Sequence, residues 1–134
     1  MTRYSIKKRT KLKPKETPGV ICIERHIHDE SVVISGSLLA ECRDDALNEW
    51  IEEALEDAAH DVRKCGGILG QIKTALTVMS TSTITITEGK KAMAEPSRKY
   101  AKIILAAIMF MVDPNEAEDI IRKSLARVHA RFSA

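Results

Sequence analysis

A chain of 134 residues, 44% apolar and 30% charged, has enough apolar surface to build one core and too little length for two, which excludes a second domain and wholesale disorder. Its net charge of +2 hides an asymmetry. Residues 1 to 19 hold seven cations (Arg3, Lys7, Lys8, Arg9, Lys11, Lys13, Lys15) against Glu16, while residues 20 to 134 hold fourteen cations against eighteen anions, so basicity belongs to the N-terminal segment alone.

That segment carries no apolar period and ends in Pro14, Thr17, Pro18 and Gly19; it is expected to be a flexible arm before a single domain over 20–134. It also lacks the apolar stretch of a secretory signal. From Val20, Ile21, Ile23 and Ile27 alternate with Cys22, Glu24, His26 and His28, the period of a strand with one buried face, interrupted on its apolar side by Arg25. Val32, Ile34, Gly36, Leu38 and Ala40 resume the period after Asp29 and Glu30. A hairpin turning at Asp29 and Glu30 sets Ile27 opposite Val32, Ile23 opposite Gly36 and Ile21 opposite Leu38. The other face then pairs His28 with Ser31, His26 with Val33, Glu24 with Ser35 and Cys22 with Ser37, and reads as wet.

Asp44 or Asp45 is expected to cap a helix in which Leu47, Trp50, Ile51, Ala54, Leu55, Ala58 and Val62 recur at three- and four-residue steps. Its outer face carries Glu49, Glu52, Glu53, Glu56 and Asp57, Arg63 and Lys64 sit in its last turn, and Gly66 and Gly67 end it. Residues 68–79 fit both periods; Gly70, Thr74, Thr77 and Val78 favour a strand. Its expected partner is Thr81 to Glu88, where threonines alternate with Ser82, Ile84 and Ile86 until Gly89. After a polar connector over 90–96, Ser97 is placed as the cap of a helix to Val112 that is apolar on every side in its second half. The ten-residue run Ile103 to Val112 falls short of the about 20 residues that cross a bilayer, so no membrane contact is expected. Asp113, Pro114 and Glu116 restart a helix whose inner stripe is Ala117, Ile120, Ile121, Leu125, Val128 and Phe132, with Arg122, Lys123, Arg127 and Arg131 making its outer side basic.

The expected fold is α+β: a two-layer sandwich in which an antiparallel sheet of about four strands, in ββαββαα order, is covered on one face by helices.

Chemical signals are sparse, and no catalytic residue is nominated: no nucleophile elbow occurs, and Gly66, Gly67, Gly70 and Lys73 lack phosphate-loop spacing. His26 and His28, about 7 Å apart on a strand face shared with Glu24 and Cys22, have the spacing to grip one divalent metal, the sole cofactor the residues suggest. Cys22, Cys42 and Cys65 are odd in number and form no CxxC pair, which argues for reduced thiols and a cytoplasmic location. The arm cations suit a nucleic-acid backbone, and the all-apolar helix asks for more cover than one chain offers, which implies a homo-oligomer burying that helix or a sheet edge. The leading expectation is a non-enzymatic, self-associating binding or accessory protein. The alternatives are a nucleic-acid-associated protein using the arm and the last helix, and a metal-dependent enzyme or sensor at His26 and His28.

Overall fold

The structure, a computed structural model, describes residues 17–42 and 46–133. The arm cations Arg3 to Lys15 and both proposed caps, Asp44 and Asp45, lie outside these residues. In chain order the elements are β1 (Ile21–His28), β2 (Ser31–Cys42), α1 (Leu47–Lys64), β3 (Ile68–Thr85), β4 (Met93–Phe110) and α2 (Pro114–Ser133). The strands form one antiparallel sheet in the order β1-β2-β4-β3, with both helices packed on one face.

The first hairpin follows from the alternation of its isoleucines and the turn that separates them. All eight pairs from Ile21 with Leu38 to His28 with Ser31 hold the register that the Asp29–Glu30 turn dictates. Asp29 takes φ 56°, a left-handed conformation that aspartate tolerates better than branched residues. The chain is already tied to the sheet before β1, since the Gly19 N–H donates to the Leu39 carbonyl at 2.7 Å.

Helix α1 starts at Ala46 without a side-chain cap bond and buries Leu47, Ile51, Ala54, Ala58 and Val62. Its end is a Schellman closure: Gly66, at φ 79°, donates to Arg63 O and Gly67 donates to Val62 O, both at 3.0 Å. Helix α2 begins as its sequence requires, with Pro114 at the first position and Asp113 Oδ1 accepting from the Asn115 N–H at 2.8 Å. Its six stripe residues from Ala117 to Phe132 are all buried, joined by Ser124, whose hydroxyl donates to Ala54 O at 3.1 Å where the helices meet.

Two expectations are overturned. The segment placed as a helix from Ser97 to Val112 is strand, β4, so the order is ββαββα. Its apolar side chains surround the segment because β4 lies inside the sheet and has neighbours on both edges; a strand apolar on both faces gives the same sequence signal as a buried helix. Residues 68–79 and 81–88 are not paired with each other: 68–85 form one strand, β3, which ends three residues before Glu88 and pairs with β4 along its length. Two irregularities punctuate that pairing. Gly70 is an extra residue on β3, and Pro96 and Ser97 stand against Ser82 alone where proline supplies no ladder donor.

The two central strands differ in length. β2 covers β4 only from Lys99 to Phe110, so residues 81–85 and 93–98 continue as a two-stranded ribbon past the body of the sheet, closed by a turn with Gly89 at φ 80°. The core lies between sheet and helices: Val32, Ile34, Leu38 and Ala40 from β2, and Ala101, Ile103, Leu105, Ala107 and Met109 from β4, meet the stripes of α1 and α2.

Gly36 fixes how closely α2 approaches. A Cβ there would lie 2.7 Å from Leu125 Cδ1, 3.1 Å from Ile23 Cδ1 and 3.2 Å from Ile121 Cγ2. Gly36→Val is therefore expected to lower stability by about 2 kcal/mol through overpacking, read as a lower urea midpoint at unchanged m-value. Met111, between β4 and α2, takes φ 62° with its side chain 73% exposed. Met111→Gly relieves the left-handed strain while giving up little burial and should raise stability by about 0.5 to 1 kcal/mol, measured the same way.

Candidate functional site

The face of the sheet away from the helices is open, and it is built in cross-strand rows. One row runs His28, Ser31, Phe110, Ile68; the next His26, Val33, Ile108, Gln71; then Glu24, Ser35, Ala106, Lys73; then Cys22, Ser37, Ile104, Ala75. The β1 and β2 side is polar as the hairpin register requires, with small hydroxyls on β2. The β4 side is not. Ile104 is 47% and Phe110 37% exposed, with Ile108 half-buried between them and Ile68 exposed beside Phe110. Phe110 lies over the extra residue Gly70, where an added Cβ would come within 2.9 Å of its ring.

Of the charges on this face, Glu24 and Lys73 stand at its flanks, while Lys102 lies on β4 in the row beyond Ile104 and Glu41 on β2 in the row after that. Glu24 stands on the outer strand β1 and Lys73 in the same row on the opposite outer strand β3, three strand spacings or about 14 Å away. Neither has an ion-pair partner among the described residues.

β1 brings His26, His28 and Glu24 to this one face as its alternation requires. His28 Nε2 lies 3.7 Å from Asp29 Oδ2 with both groups exposed. Among the described residues no group of three His, Cys, Asp or Glu is arranged to hold a metal ion. Cys22 and Cys65 are exposed thiols and Cys42 is buried.

Arg127 and Arg131 of α2 point toward acids of α1, whereas Arg122 pairs within α2. Arg127 meets Asp61 at 3.3 Å and Asp57 at 4.0 Å, Arg131 pairs with Glu53, and Arg122 lies 3.9 Å from Glu118. Arg131 also sits 5.9 Å over the Trp50 ring, which packs against Phe132 with centroids 6.0 Å apart. Trp50, Glu53, Asp57, Arg127 and Arg131 line an open groove of about 340 Å³ between the helices, but its charges already answer one another, so the groove ties α1 to α2. The outer side of α2 is consequently not the array of free cations that its sequence suggests. Arg25, on the helix-facing side of β1, likewise reaches Glu118 at 3.2 Å and Asn115 at 2.9 Å.

Gly66 and Gly67 serve as a helix stop and Gly70 as a bulge, which accounts for them structurally. The functional feature that sequence reasoning missed is the apolar half of the open face. Its signal was present in the alternation of Ile104, Ala106, Ile108 and Phe110, but a run apolar at every position conceals alternation.

No helix among the described residues is long and apolar enough to cross a membrane. No protein-family model matches the chain, and no curated protein matches its sequence.

Proposed function

We propose that this chain is a non-enzymatic, self-associating binding or accessory protein whose open sheet face is its contact surface. The observation that carries the reading is the outer side of β4. An antiparallel sheet with one face in water normally alternates apolar and polar residues, whereas β4 places Ile104, Ala106, Ile108 and Phe110 on the side that no helix covers. Single exposed apolar residues are ordinary, but a contiguous group on a flat, rigid sheet favours association. Burying a large aliphatic or aromatic side chain stabilises by about 1.5 to 3 kcal/mol, and three such side chains here are only partly covered.

None of the three cysteines forms a disulfide among the described residues, which suits a reducing compartment, and the cytoplasm is part of this reading.

Sedimentation equilibrium of the full chain tests it. A species heavier than 14.9 kDa is expected at micromolar concentration, and Ile104→Glu should weaken its association at least about tenfold, since a carboxylate would have to be desolvated in the contact. An unchanged circular-dichroism melt at monomer-favouring dilution shows that the variant still folds. A chain that remains at 14.9 kDa up to millimolar concentration removes the proposal.

A further inference from the structure

Resting on that reading, we infer that the occupant of the open face is a second copy of this chain, packed sheet to sheet about a two-fold axis that runs along the strands. Two arrangements bring identical open faces together as a closed pair with the strands of the two sheets aligned. With the axis across the strands, each strand lies over its own counterpart. The Ile104, Ile108 and Phe110 row of β4 then meets the same bulky row, the serines of β2 meet serines, and the flanks set Glu24 on the side of the partner's Glu24 and Lys73 on the side of the partner's Lys73.

With the axis along the strands, β1 lies over β3 of the second copy and β2 over β4. Residues of one row stay in that row, because position along the strand is preserved. Ile104 then faces Ser37, Ile108 faces Val33, and Phe110 faces Ser31, so every large side chain on β4 meets a smaller one on β2. The outer strands complete the match: Glu24 on β1 comes over Lys73 on β3, twice in each pair of chains. Stacked sheets lie about 10 Å apart, a gap that a glutamate and a lysine reaching toward each other span. Within one chain the same two residues are too far apart to meet. One arrangement thus satisfies both size and charge, and the other violates both.

The area is adequate. Four strands about 4.8 Å apart and about nine residues deep project on the order of 600 Å², which surface relief brings toward the about 800 Å² per partner typical of stable complexes. The same axis sends the ribbons at 81–98 out of the same end of the pair, so the assembled form carries two parallel arms.

Charge reversal tests the axis separately from association itself. Glu24→Lys and Lys73→Glu should each raise the dimer dissociation constant about tenfold at low salt, with the effect shrinking as salt rises. The double variant, with the charges exchanged, should return to within about threefold of the unaltered chain. Both side chains are exposed, so folding is not at risk. If the chain dimerises but neither reversal alters its dissociation constant, or if the double variant is weaker than both singles, the axis is wrong while self-association stands. If the unaltered chain is monomeric, both fall.

Discussion

The position of β4 governs the molecule. It is hydrogen-bonded on both edges, to β2 and to β3, and its inward residues Ala101, Ile103, Leu105, Ala107 and Met109 are all at or near complete burial. The helices lie where they do because this row, with Ile34 and Leu38 of β2, offers the widest apolar surface in the chain. Gly36 then sets the depth, letting Leu125 and Ile121 of α2 descend onto the sheet where any side chain would hold them off. A strand of this character also has a second face, which makes the same central residue run responsible for the core on one side and the unfinished surface on the other.

The legibility of each element in the sequence depended on whether its two sides differ. In β1 and β2 they do, and the alternation of Ile21, Ile23 and Ile27 with polar residues, closed by Asp29 and Glu30, was enough to set eight residue pairs. In α1 and α2 a helical stripe stood out against charged faces, and only Ser124 was not anticipated, because a serine gives no apolar signal and its place at the helix crossing depends on a carbonyl 70 residues away. In β4 both sides are apolar, so the helical and extended periods fit equally, and Ser97 after Pro96 imitated a helix start at what is an irregularity in the ladder. The polar half of the candidate site, Cys22, Glu24, His26 and His28, was visible because it lies on β1. Its apolar half and Lys73 were not, because their place beside it follows from the strand order.

The two helices illustrate how charge segregation in a sequence can point to the wrong partner. α1 is acidic outside and α2 basic outside, and the second invites a reading as a polyanion surface. In the fold the two sides meet, and Arg127 and Arg131 spend their charge on Asp57, Asp61 and Glu53. Exposed pairs of this kind contribute about 0.2 to 1 kcal/mol each, so they do little for stability; their consequence is orientation, with Arg131 also held over Trp50.

A sheet with unpaired strands at both sides could in principle associate through its edges instead of its face. The edges are guarded in different ways. β1 is short and carries Arg25 on its inner side, engaged with Glu118 and Asn115 of α2; a second strand added there would have to pair beside a charge turned toward the core. β3 is long, but Gly70 inserts an extra residue near one end, Ser82 faces two residues near the other, and Lys73 lies between them, so no straight, uncharged stretch runs its full length. Bulges, inward charges and lysines are the means by which natural sheets discourage edge-to-edge pairing. Over the rows from Ile104 to Phe110 the side chains that β2 and β4 place on the open face are apolar or small, with Glu24 and Lys73 of opposite sign at its margins and Lys102 and Glu41 beyond Ile104 toward one end. Association through the face buries the apolar half of β4, which edge pairing would leave in water.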